Sequence, residues 1–171
     1  MYFSDYAVTN ETVGIPSEAV KTLAENDAVE SVSTTRLSVF MPGAGDILPF
    51  ETDLSVQSHE TLQLVNVDEA QLQIYAPNLS AQDKQALKDG TGCLVKNPIA
   101  FSYGDTTVQQ TDLTVGDTIQ LGDRTLPVLG LIDTAITINN DGFTNGVQLI
   151  VNDEIYCSLL GNDSYSEVYP T

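Results

Sequence analysis

Apolar and polar positions recur along the chain in runs that predict a mixed succession of strands and helices. DYAVT (5–9) alternates as a strand does, and GIPSEAVKTLAEND puts Val20, Leu23 and Ala24 on one face of a short helix beginning at Pro16 or Ser17. VESVSTTRLSVFM is rich in β-branched residues and sets Leu37, Val39 and Met41 on one side of a strand, which the turn residues PGAG end. The opening of the chain therefore reads β-α-β. LSVQSHETLQLVNVD supplies a further strand, in which Leu62, Leu64 and Asn66 alternate with Gln63, Val65 and Val67. DEAQLQIYA is a short candidate helix. NLSAQDKQALKDGTG is better marked, because Ser80 and Asp83 form a capping-box-like pair and Gly90 stands where a helix C-terminus favours glycine. CLVKN then returns as a buried strand.

The most strongly patterned run is LTVGDTIQLGDRTLPVLG (113–130). A two-residue loop at Gly122 and Asp123 sets Leu121 opposite Arg124, Ile119 opposite Leu126 and Asp117 opposite Val128. Ile119 and Leu126 then share one face, and Gln120 and Thr125 share the other, so a hairpin accounts for the glycines and aspartates without a ligand. Pro127 cannot donate a ladder hydrogen bond, which predicts an edge position or an outward-facing amide, and Gly130 predicts a bulge or bend before LIDTAI. Beyond it, NNDGFTNG (139–146) reads as a loop, GVQLIV as a strand and NDEIYCSLLG as a short helix starting near Asn152. SYSEVYPT begins a strand with nothing after it to pair with or cover it, so the native domain is expected to continue past Thr171.

Composition narrows the class. With 42% hydrophobic and 18% charged residues, a chain of 171 residues buries a real core as one domain or two small lobes. No run approaches the roughly 20 apolar residues that span a bilayer. Twenty-four acidic residues against six Lys and Arg leave a formal charge of −18, which repels phosphate backbones and excludes nucleic acid as the expected partner. The acids are scattered, as on a solvated surface, rather than gathered in a tail. MYFSDYAV has neither a basic nor an apolar leader region, so any targeting segment is expected outside this sequence.

Candidate chemistry is thin. The only histidine, His59, is the one base available to a thiol enzyme built on Cys93, and the glycines around TGC are equally what a helix end and the start of a strand require. LIDTA (131–135) is close to the hydrophobic-Asp-Thr-Gly signature of aspartic proteases, but Ala135 replaces the glycine and no second copy exists, so Asp133 is read as a strand-ending polar residue. In TINNDGFTNGVQ, Asn139, Asp141 and Gly142 fit an EF-hand template, whereas Thr137 and Gln148 stand where the strongest ligands belong. No phosphate-binding glycine motif is present. Cys93 and Cys157 have no metal-ligand spacing, and the sequence leaves both a pair of buried thiols and a disulfide open. The expectation is no catalytic residue, no cofactor and no metal.

The order of these elements resembles the extracytoplasmic domain of MacB/FtsX-type ABC transporter permeases. IPSEAVKTLAENDAVESVSTTRLS resembles that family's opening, with Ala28, Val29, Glu30, Ser31 and Val32 as the step into a long strand. LQLVNVDEAQLQIYA resembles its turn into a second lobe, and LKDGTGCLVKN its return strand. LTVGDTIQLGDRTLPVLGLID matches the family hairpin at Leu113, Gly116, Asp117, Ile119, Leu121, Val128 and Gly130, and GVQLIVNDEIYCSLLG resembles the strand and short helix leading back. The resemblance implies an α+β fold of two lobes. Residues 1–68 would form a membrane-proximal β-α-β lobe, 69–146 an inserted, mostly β lobe with the 113–130 hairpin, and 147–171 the return to the first lobe. The family carries a further helix and strand after the position of SYSEVYPT, which this sequence lacks.

By the same resemblance the domain lies on the extracytoplasmic face of the cell membrane, tethered by transmembrane helices of its parent chain and working with a cytoplasmic ABC ATPase. It would engage an exported peptide, lipoprotein or extracytoplasmic protein without catalysis and transmit movement, with room for a homodimer in the intact transporter. The alternatives are a free-standing secreted or surface-anchored binding module and, further off, an extracellular hydrolase.

Overall fold

The computed structural model describes residues 6–9, 13–56, 60–108, 110–136 and 146–171. In chain order they form β1 (Val8–Thr9), α1 (Ser17–Ala24), β2 (Val32–Phe40), β3 (Thr61–Val67), α2 (Glu69–Tyr75), α3 (Ala81–Asp89) and β4 (Cys93–Lys96). Then follow β5 (Phe101–Tyr103), β6 (Thr106–Val108), β7 (Thr118–Leu121), β8 (Arg124–Leu131), β9 (Gly146–Ile150), α4 (Asp153–Leu160) and β10 (Glu167–Pro170). The helices begin where local chemistry caps them. Side-chain oxygens of Asp68, Ser80 and Asn152 accept from the N–H groups of Gln71, Asp83 and Ile155, and Ser80 Oγ also donates to the Asp83 carboxylate at 2.9 Å. Gly90 ends α3 with φ of 76°, in the left-handed region its lack of a Cβ permits.

Eight strands join in one mixed sheet, in the order β1-β10-β2-β3-β9-β4-β8-β7, and β5 and β6 form a separate hairpin. The α+β class follows directly. Strands β4, β7 and β8, from the segment expected to form the inserted lobe, continue the sheet begun by β2 and β3, so hydrogen bonding runs unbroken between the two segments. The sheet is covered on both faces. On one, Leu62, Leu64, Val95, Leu149 and the hairpin residues Ile119 and Leu126 pack with Ile155 and Tyr156 of α4 and with Phe50. On the other, Val65, Leu94 and Ile150 pack with Leu72 and Tyr75 of α2 and Leu87 of α3. Each leucine so buried contributes about 1.5–3 kcal/mol. At the sheet's centre the parallel pair β3–β9 closes at Thr61 and Gly146, where a Cβ on residue 146 would lie only 1.8 Å from the Thr61 carbonyl oxygen.

The 113–130 hairpin forms in the expected register, with Leu121 opposite Arg124, Ile119 opposite Leu126 and Gln120 opposite Thr125. Val128 N–H donates to the Asp117 carbonyl at 2.8 Å. A bulge lies where Gly130 predicts one, since β4 pairs Cys93 with Val128 but Leu94 with Gly130.

Several expectations are corrected. Of the two positions that Pro127 allowed, the edge strand is not the one taken: β8 lies between β4 and β7, and the proline nitrogen faces away from β7, on the side where pairing with β4 begins only at Val128. SYSEVYPT does not lack partners, for β10 lies between β1 and β2 and pairs with both. The Leu37, Val39 and Met41 side of β2 is not a buried stripe. Leu37 is half-buried against the α2 cluster, but Val39 is 47% exposed and Met41 36%, because the cover provided by α2 ends before them. The buried positions of β2 are instead the polar Ser33, Thr35 and Arg36. The strand expected from LSVQSHETLQLVNVD starts only at Thr61, with residues 54–56 irregular.

Candidate functional site

The residues weighed for chemistry do not converge. His59 and the loop residues Thr137, Asn139, Asp141 and Gly142 lie outside the described residues. Cys93 is fully buried at the start of β4, and burial pushes its thiol up to about 12, so it is protonated and a poor nucleophile at neutral pH. Cys157 is half-buried on α4, also raised chiefly by burial, and both cysteines are free thiols. Asp133 is exposed just after β8, where Oδ1 accepts from the Ala135 N–H at 2.9 Å. Gln148, the last position of the EF-hand template, is a buried residue of β9 whose amide turns to Gln63, not to a loop. In VGDTIQLGD, Asp117 Oδ2 accepts from Thr114 N–H and Oγ1, and Gly116 and Gly122 take φ of 95° and 62°, as turns require. Among the described residues no group of His, Cys, Asp and Glu is placed to hold a metal ion.

What the fold brings together instead is a polar junction around Arg36. The guanidinium is 5% exposed and donates from Nη1 to Asn66 Oδ1 (2.8 Å) and Asp153 Oδ1 (3.2 Å), and from Nε and Nη2 to the Asp163 carbonyl (3.3 and 3.1 Å). Its carbon centre lies 3.9 Å above the Tyr165 ring. Two residues along β2, Ser38 bonds the Tyr156 hydroxyl at 2.6 Å, and burial foremost raises the tyrosine pKa. From the opposite face, Gln71 of α2 bonds Thr35, Ser33 and the Thr34 carbonyl. Side-chain hydrogen bonds thus fasten β2 to α2, β3, α4 and the segment before β10. Sequence reading missed Arg36. Its only signal was a cation inside an otherwise uncharged strand.

A second polar group crosses the sheet, where Gln63, Gln148 and Lys96 stand opposite one another on β3, β9 and β4, all at most 3% exposed. Burial lowers the Lys96 pKa, and the Asp133 charge opposes that shift.

Two hollows open at the surface. One, of about 580 Å³, is lined by Leu48, Phe50, Leu54 and Val56 beside β7. The other, of about 440 Å³, lies between the α2–α3 connection and the end of β8, with Leu94 and Ile132 inside, Leu131 at its mouth, and Asp83 and Asp133 on its rim.

No protein-family model matches the chain, and no curated protein matches it by sequence. Among solved structures it is similar to the extracellular domain of the noncanonic ABC-type transporter YknZ from Gram-positive bacteria, with a TM-score of 0.52 and 13% identity over 92% of this chain and 73% of that one. It is also similar to the periplasmic region of MacB from Actinobacillus actinomycetemcomitans, with a TM-score of 0.50 and 10% identity over 96% of this chain and 65% of that one. At such identities the likeness is one of fold. The chain has the fold of extracytoplasmic domains of ABC-type transporters, as the order of elements in its sequence implies. No helix among the described residues is long and apolar enough to cross a membrane.

Proposed function

We propose that the chain is the extracytoplasmic domain of an ABC transporter permease subunit, non-catalytic, which engages an exported peptide, lipoprotein or extracytoplasmic protein and moves in concert with a cytoplasmic ATPase. The fold it shares with the YknZ and MacB regions over nearly its whole length carries this reading. The path of the chain supports it. β1 and β10 are antiparallel neighbours, with Val8 opposite Val168, so the first and last described strands lie side by side, an arrangement that suits insertion between two membrane helices.

Transmission of force requires a body that moves as a unit. The Arg36 junction supports that part of the reading, because its buried guanidinium ties the strand next to β10 to β3 and α4 through charge-assisted hydrogen bonds. The proposed boundary between a membrane-proximal lobe (1–68 with 147–171) and an inserted lobe (69–146) would then bend, if anywhere, across β9–β4.

The parent gene tests the assignment. Apolar runs of about 20 residues, one before Met1 and three after Thr171, are expected, with the product in the membrane fraction beside an ABC ATPase. A parent sequence without such runs overturns it in favour of a free-standing binding module.

A further inference from the structure

We propose that the groove between the α2–α3 connection and the end of β8 binds a cationic amphipathic peptide, taking an apolar side chain between Leu79 and Leu131 and a lysine or arginine at Asp83 and Asp133. The groove is built for an apolar group. Leu94 and Ile132 inside it are 0% and 5% exposed, and Leu131 at the mouth keeps 45% of its surface in water. Gly130 leaves the middle open, since a Cβ there would touch Leu79 and Leu94 at 3.4 Å. The volume of about 440 Å³ holds one or two side chains rather than a folded partner.

The rim decides the charge of the occupant. Asp83 Oδ2 accepts from Ser80 Oγ and Asp133 Oδ1 from the Ala135 N–H, and the second oxygen of each carboxylate has no partner among the described residues. Lys96 acts on Asp133 at a distance and forms no ion pair with it. A chain with a formal charge of −18 repels acidic peptides and anionic lipid surfaces and draws cations in. An uncharged apolar ligand would leave both carboxylates unused. A cationic, amphipathic segment satisfies groove and rim together.

The test uses the 171-residue chain in solution, so it succeeds or fails independently of membrane tethering. The probe is a fluorescein-labelled heptapeptide alternating leucine and lysine, titrated by fluorescence anisotropy at low and high salt. Saturable binding is expected, weakened by salt. Asp83→Asn with Asp133→Asn should weaken it about tenfold, and Leu131→Ser about as much. The pair Glu18→Gln with Glu25→Gln, on the exposed α1 surface, should change it less than about twofold. Leu131 is exposed, so its variant should keep the wild-type circular dichroism; if it does not, the two aspartate variants decide. Equal weakening by both acidic pairs marks diffuse attraction and overturns the proposal. So does a peptide with glutamate in place of lysine binding as well, or no saturable binding at all.

Discussion

Gln148 Nε2 donates to Gln63 Oε1 at 2.8 Å across the central parallel pair of the sheet, while Gln148 Oε1, itself buried, has no partner among the described residues. Lys96 stands opposite Gln148 on the next strand, 3% exposed, so a buried cation and an unmatched acceptor share one face. Such an arrangement adds little stability, because desolvation of the ammonium works against the fold.

Replacing this lysine should therefore help. Lys96→Met is expected to stabilise the chain by about 1 kcal/mol at neutral pH, near the lower end for replacing buried charge, since Asp133 offsets part of the cost. Burial lowers the folded-state pKa, so the unfolded chain holds this proton more tightly than the fold does. Wild-type stability relative to Lys96→Met should then rise as pH climbs from the lowered value towards the ordinary 10.5. Urea unfolding of both proteins from neutral pH upward measures the gap. A gap that does not close contradicts the burial of this charge.

The Arg36 junction makes a contrasting demand. Arg36→Met removes the donor that satisfies the buried Asn66 side chain and the part-buried Asp163 carbonyl, leaving both acceptors unpaired at a cost of about 2–4 kcal/mol, or about 5–15 °C in Tm. Asp153→Asn should cost less than about 1 kcal/mol, because that carboxylate is 80% exposed. Thermal unfolding separates the two. Equal losses would place the junction's energy in the ion pair instead of the buried hydrogen bonds.

The contrast between Arg36 and Ile119 shows what was legible in the sequence. Ile119 and Leu126 find each other across a turn of two residues, so their register follows from counting. Helix starts at Ser80 and Asn152 were legible for the same reason, because caps act within one turn. Arg36 meets Asp153 and Asp163 only after the chain has crossed the sheet and returned, and no local period encodes that. The same holds for β10 slipping between β1 and β2, and for Val39, whose exposure depends on where α2 ends. The β5–β6 hairpin carries a signal too, Gly104 with Asp105 between two short β-prone runs, but a weaker one than the 113–130 hairpin. Of the candidate groove, Asp133 was read as ending a strand, but nothing in the sequence places it across from Asp83.

Thiol chemistry gives an independent check on the core. Cys93 should resist iodoacetamide in the folded protein, Cys157 should label slowly, and both should label in urea without reductant, as free thiols do. Intact mass counts the adducts, and a failure to label in urea until reductant is added would reveal a disulfide. The pH dependence has the opposite sign to that of Lys96. The Cys93 pKa is raised from 9.0 to about 12, so its contribution is fully present below pH 9 and falls by about 1.4 kcal/mol per unit as the unfolded thiol ionises first. Comparison with Cys93→Ala, which lacks that slope, isolates it.

Gly146 sets the sharpest test of the sheet's centre. Its backbone pairs in parallel with Thr61, and a methyl group there would meet the Thr61 carbonyl oxygen at 1.8 Å, with no flexible side chain able to give way. Accommodating it means prising β9 from β3, the two strands that join the β2 side of the sheet to the β4 side. Gly146→Ala should therefore cost more than about 4 kcal/mol and leave most of the chain unfolded or insoluble. Gly104→Ala provides the control, because that residue sits at φ of 60° in the β5–β6 turn with open space around it, and only the backbone preference of about 1 kcal/mol is lost. Circular dichroism with urea titration of the two variants measures the difference. If Gly146→Ala unfolds at the same urea concentration as Gly104→Ala, the β3–β9 pairing is wrong, and with it the continuity of the eight-stranded sheet.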